Sequence, residues 1–166
     1  MSFTCKSILA IAVACLSLTA GAGTARAANV SCPAAAPTEM IAQVLQVTNG
    51  ARQAAGLPPL RNDAKLNAAA QKHACDMVAN NFFDHRGSDG SHSMDRAHAY
   101  GFRACTAAEN IAWGKFDGIS VTEGFLNSPG HRANIMLGRL SHMGFGYVPP
   151  IGGRQAKFVQ IFGRSC

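Results

Sequence analysis

The stretch Asn127-Ser128-Pro129-Gly130-His131-Arg132-Ala133-Asn134-Ile135 sits at the centre of the reading. Ser128 followed by Pro129 has the form of an N-cap with proline at the first helical position, where a missing N–H costs nothing. A brief helix through Met136 is expected, with His131 in its first turn. Ser128 lies three residues before His131, but G-x-S-x-G is absent, so the serine reads as a cap rather than a nucleophile.

Downstream, His142–Val148 and Ala156–Phe162 flank Pro149-Pro150-Ile151-Gly152-Gly153 and predict an antiparallel hairpin. Upstream, a helix is expected from about Gly118 to Leu126, and another from Ser93 to Tyr100, closed by Gly101. Thr38, as an N-cap, opens a helix with an apolar stripe at Met40, Ile41, Val44, Leu45 and Val47. Gly56 closes it, and Leu57-Pro58-Pro59-Leu60 is an extended connector. Asp63 caps a second helix that buries Leu66, Ala69, Ala70, His73, Met77 and Val78.

The first 27 residues read as a secretory leader. Lys6 precedes an apolar run from Ile8 to about Ala20, and Ala25-Arg26-Ala27 supplies an A-x-A cleavage site. The run is shorter than the ~20 residues that span a bilayer, and no later stretch approaches that length. Residues 28–37, rich in Ala and Pro, read as an N-terminal arm, and residues 38–166 as one domain. Without Lys6 and Arg26 the chain carries 13 basic and 9 acidic residues, a net charge of +4. The bases are scattered, which argues against nucleic acid as a partner and leaves weak attraction to anionic envelope surfaces. A monomer is expected in the secreted or periplasmic space.

Cys32, Cys75, Cys105 and Cys166 follow the leader, and no C-x-x-C pair suggests zinc or redox chemistry. In an exported chain they predict two disulfides. Three pairings are open. The favoured one joins Cys32 to Cys166 across the chain ends and Cys75 to Cys105.

Histidine is where the composition points to chemistry, with six residues, of which His85, His92, His98 and His131 fall in loops or helix starts. No two are four apart, so any metal site must be assembled from distant segments. Asp84 to Asp95 supplies no calcium-loop frame, and its aspartates are expected to close turns. Glu109 lies in the apolar run Ala107-Ala108-Glu109-Asn110-Ile111-Ala112-Trp113. A buried glutamate needs a partner, and a histidine would make either an acid–base or ligand pair or a structural ion pair.

Taken in order, several blocks resemble the CAP superfamily, the cysteine-rich secretory, antigen 5 and pathogenesis-related-1 proteins, in its short bacterial branch. They are Asn49-x-x-Arg52 with Gly56-Leu57-Pro58-Pro59-Leu60, His73-Ala74-x-Asp76-Met77, Phe83-x-His85, Ala108-Glu109-Asn110-Ile111-Ala112, Asn127 to Ile135, and His142-Met143-Gly144-Phe145-Gly146. The resemblance implies an α+β fold: an α-β-α sandwich with a small central antiparallel sheet and disulfide support. It also implies a cleft lined by two histidines and two acids, proposed to bind a divalent metal such as zinc. Here His85, Glu109 and His131 supply three members, with Ser128 beside them. The fourth acid is missing, since Phe125-Leu126-Asn127 stands where animal and plant relatives carry glutamate. The family implies a binding module for a small, lipid-like or envelope-derived ligand. The alternative is a metal-assisted, peptidase-like hydrolase with His85 and His131 as ligands and Glu109 and His131 as its catalytic groups.

Overall fold

A computed structural model describes residues 31–166. The expected leader lies outside the described residues. Helix α1 (Thr38–Ala54) is followed by a two-residue strand β1 (Arg61–Asn62), α2 (Ala64–Ala79), α3 (Ser93–Ala99), β2 (Ala104–Trp113), α4 (Gly118–Asn127), α5 (Pro129–Ile135), β3 (His142–Val148) and β4 (Lys157–Ser165). The strands form one sheet in the order β1-β3-β4-β2. Helices α1, α4 and α5 pack on one face around Val44, Phe125, Ile135, Phe145, Phe158 and Phe162. Helices α2 and α3 cover the other, over Leu66, Met77, Ala97, Ile111, Val159 and Ile161. β4 is central, so its side chains alternate between two cores and, Gln160 apart, its buried side chains are apolar on both. The α-β-α sandwich is thus present.

The expected antiparallel sheet is mixed at one edge. The hairpin forms as read, with Gly152 and Gly153 both at positive φ in its turn. β1, however, runs parallel to β3, pairing Arg61 with His142 and Asn62 with Met143. The extended connector leaving α1 passes directly along the start of β3 before α2 begins. Two side chains of α1 fix that connector. Asn49 exchanges hydrogen bonds with the backbone N–H and carbonyl of Leu60 at 2.8 and 2.9 Å. Arg52, fully buried, donates to the carbonyls of Pro58, Ile135 and Leu137 and so also ties off the end of α5.

Helix α2 lies against the outer edge of β3 in a matched register. Four helical residues advance about 6.0 Å and two strand residues about 6.7 Å, so i, i+4 side chains meet alternate strand amides. Asn67 Oδ1 accepts from Phe145 N at 2.8 Å, and Gln71 Oε1 accepts from Tyr147 N at 2.9 Å. The approach requires glycine. A Cβ on Gly144 would fall 2.1 Å from the Leu66 carbonyl carbon, and one on Gly146 2.3 Å from that of Ala70.

The disulfides correct the expected pairing: Cys32 joins Cys75 and Cys105 joins Cys166, at Cα separations of 5.8 and 5.0 Å. β2 and β4 are antiparallel neighbours with Ala104 opposite Ser165, which sets Cys166 beside Cys105. The arm is left to cross α2, where Gln71 donates to the Pro33 carbonyl and Cys75 captures Cys32. Two smaller expectations also shift. Pro37, not Thr38, holds the N-cap position of α1, and Ser128 holds that of α5 without making a side-chain capping bond.

Candidate functional site

Glu109 is the pivot of the site. It lies mid-way along β2, opposite Ile161 of β4, and is 6% exposed. A carboxylate so placed must be compensated. Arg96 of α3 donates to Oε2 at 2.6 Å, and His85 Nδ1 bonds Oε1 at 2.9 Å. Arg96 also donates to the carbonyls of His85 and Ser91, so one guanidinium fastens both the carboxylate and the 80–92 loop that presents His85. That loop is closed as expected by its aspartates, Asp84 accepting from Arg86 N and Asp89 from Ser91 N. His73 Nε2 stands 3.8 Å from Glu109 Oε1 but donates instead to the Asp84 carbonyl at 2.9 Å. Burial holds His73 below the ordinary imidazole value, so it acts as a neutral support.

His131 enters from the neighbouring element. Its Nδ1 bonds Ser128 Oγ at 2.9 Å, which is why the serine makes no cap, and its ring rests on Phe125 with centroids 5.1 Å apart. Asn134 ties α5 to β2, donating to the Glu109 carbonyl and to Asn110 Oδ1. Asn110 in turn donates to the His131 carbonyl and to Gln160 Oε1, and Gln160 donates to Thr48 of α1. The Glu-Asn-Ile-Ala and Ser-Pro-Gly-His-Arg-Ala-Asn-Ile blocks are therefore linked by their asparagines.

The two cleft histidines titrate in opposite directions. The hydrogen bond that His85 donates to Glu109 holds its imidazole above its ordinary value. Burial, and then the nearby charge of His85, holds His131 below. His85 therefore keeps its proton to a higher pH than its neighbour.

Beside His131 opens an apolar groove of about 330 Å³ whose wall includes Ile111, Val121, Gly124 and Phe125. Phe83, Trp113 and Phe116, also lining it, are 42, 50 and 44% exposed. Lys157 Nζ lies 5.7 Å from the centre of the Phe83 ring.

The residues present do not form the expected ligand set for a metal. Both Glu109 oxygens are engaged, one by a cation, and among the described residues no three His, Cys, Asp or Glu side chains converge as an ion-holding group. His85 and His131 each retain only Nε2. Of the residues that the sequence singles out, His85, Glu109, Ser128 and His131, the fold makes two pairs, His85–Glu109 and Ser128–His131. Arg96 escapes sequence reasoning, and its one signal is the need of a buried glutamate for a partner. His73 reads from sequence as part of a buried helical face and of one motif block, not as a member of the site. His92 and His98 stand apart, His98 bonding the Ala104 carbonyl.

Residues 45–162 match the cysteine-rich secretory protein family, CAP. The chain belongs to that family. It is 35% identical over 133 residues to the uncharacterized protein YkwD of Bacillus subtilis, covering 78% of this CAP chain but 52% of YkwD. Its fold is similar to an extracellular SCP-domain protein from Bacillus anthracis, with 30% identity, a TM-score of 0.68, and coverage of 76% of this chain and 41% of that one. An outer surface protein of Borrelia burgdorferi shares the fold, with a TM-score of 0.70 at 22% identity over 78% of this chain and 95% of its own. This CAP chain thus spans about half the length of YkwD. No described helix is long and apolar enough to cross a membrane.

Proposed function

We propose that this CAP domain is a secreted or periplasmic binding module that takes a small amphiphile, with its apolar part in the groove along Phe125 and its polar end toward His131 and His85. The observation that carries this is the groove itself. Three large aromatic side chains stand exposed around one concavity that is also lined by His131, whose imidazole burial holds below its ordinary value. Isolated exposed apolar residues are ordinary, whereas several lining one concavity mark a binding surface. Its volume is at the small end of ligand sites, which suits one acyl chain or a ring system rather than a folded partner. Two disulfides fit an oxidising compartment, and the B. anthracis relative is described as extracellular.

Trp113 is the chain's single tryptophan and lines the groove, so it reports occupancy directly. Titration with oleate should give a saturable change in Trp113 emission. A strictly linear response, matching that of free tryptophan, would overturn the reading.

The alternative of a metal-assisted hydrolase draws no support from Glu109, whose oxygens are both occupied. Hydrolysis of peptide or ester substrates that is abolished by a chelator would favour it over binding alone.

A further inference from the structure

Side-chain charge is unevenly spread over the fold. Beyond the expected leader the chain carries 13 basic and 9 acidic residues. Arg61, Lys65, Arg103, Arg139 and Arg164, all exposed, gather at the end of the sheet where β3 begins and β4 finishes. The acidic side chain at that end is Asp63, whose Oδ1 already accepts from the amides of Lys65 and Leu66. Five bases and one acid give this end a surplus of +4, and the remaining eight bases and eight acids cancel. Among the described residues, none of the five bases is in an ion pair. Like charges held together cost stability by self-repulsion, which an external anion relieves.

Separate elements assemble this cluster, so it does not show as a run in the sequence. Arg61 pairs with His142 across β1 and β3, and His142 pairs with Gly163 of β4. Arg164 follows Gly163, and Arg139 stands two residues before Ser141, whose N–H bonds the Gly163 carbonyl. The Cys166 N–H bonds the Arg103 carbonyl, and the Cys105–Cys166 disulfide pins those two strand ends together. Lys65 Nζ donates to the carbonyl of Gly101, two residues from Arg103.

The cluster is broad. Three interstrand steps of about 4.8 Å set β1 and β2 about 14 Å apart. Arg61 shares a face of the sheet with its partner His142, whose ring meets Phe102 on the α2 side. Gly163 also faces Phe102, so Arg164, the next residue along β4, points to the opposite face. Bases on both faces of the sheet end form a two-dimensional array, which suits a plane of phosphates better than a single chain of them.

We infer that this end docks the domain on an anionic phospholipid surface, with the aromatic groove turned away from it. β2 runs from this end to Trp113 in the groove wall, a distance along the strand of about 30 Å. The docking is independent of what fills the groove.

The test is co-sedimentation of the domain with vesicles of equimolar phosphatidylglycerol and phosphatidylcholine, beside vesicles of phosphatidylcholine alone. Binding is expected to the anionic vesicles only, and should vanish in about 1 M salt, where the screening length falls to about 3 Å. Each Lys or Arg near such a surface contributes about a fivefold factor. Arg61→Gln combined with Arg164→Gln should therefore weaken binding about 25-fold. Arg86→Gln combined with Lys115→Gln removes the same charge at the groove end and should leave binding nearly unchanged. In the bound domain, Trp113 should stay open to acrylamide and escape quenching by doxyl-labelled lipid. The inference is overturned if the anionic vesicles do not sediment the domain, or if neutral vesicles do so equally well. It is equally overturned if the two double variants weaken binding alike, if doxyl lipid quenches Trp113, or if inorganic polyphosphate binds more tightly than the vesicles.

Discussion

Arg96 reaches Glu109 at 2.6 Å on the oxygen that His85 does not use, so the acid of the cleft is anchored by an arginine and shared with a histidine. The pair is almost wholly buried. Removing one partner leaves the other charge without compensation, a loss that costs about 3–5 kcal/mol. Arg96→Ala should therefore lower the unfolding free energy by that amount and release the 80–92 loop. Denaturant melts and hydrogen exchange at His85 and Ser91 measure the two effects.

The opposite shifts of His85 and His131 give a second prediction. In pH-dependent NMR, His85 should titrate above the ordinary imidazole value of about 6.5 and His131 below it. A raised folded-state value means that the His85–Glu109 contact adds stability below about pH 6.5 and loses it as pH rises through the His85 titration. A lowered value has the reverse sign, so His131 and His73 remove stability as pH falls below about 6.5. Glu109→Gln should bring the His85 titration down toward the ordinary value.

Gly124 lies on the groove wall within α4, and a Cβ there would have open space. Gly124→Leu should fill the groove while gaining about 0.8 kcal/mol of helix propensity. The expected outcome is a domain at least as stable as the parent that no longer responds to oleate through Trp113 fluorescence. Retained oleate binding would place the ligand elsewhere.

Glycines 144 and 146 are needed for the opposite reason. Gly144→Ala or Gly146→Ala drives a methyl into the backbone of α2, where nothing flexible can yield. Each should cost about 3 kcal/mol or more, at the upper end of overpacking, and calorimetric melting would register it.

Metal removal should have little effect. With Glu109 engaged by Arg96, incubation with a chelator is expected to leave the melting temperature and the Trp113 response unchanged. Stoichiometric zinc in native mass spectra of purified protein would contradict this.

Much of the fold is legible in the sequence because its signals are local. The apolar periodicity of α2, the Asp63 cap and the glycine turn of the hairpin each depend on a few consecutive residues. β1 is not legible, since two residues carry no period and pair only because the connector is drawn along β3. The disulfide pairing fails for a related reason: it depends on strand order, and β2 reads from sequence as an apolar stretch with no assignment to a strand. At the site, the chemistry of Glu109 announces itself as a buried charge, and His85 and His131 come from motif blocks. Arg96 sits in a short helix with no motif of its own, and only the tertiary fold brings it across.

The side chains of Asn67 and Gln71 stand along β3 where another strand would otherwise bond. Open strand edges are templates for self-association, and they also offer a route for peptide partners to add on in extended form. Here the helix has already answered the amides of Phe145 and Tyr147, so that edge can neither seed fibrils nor recruit a strand. Along β3, partners are met through side chains rather than by strand addition.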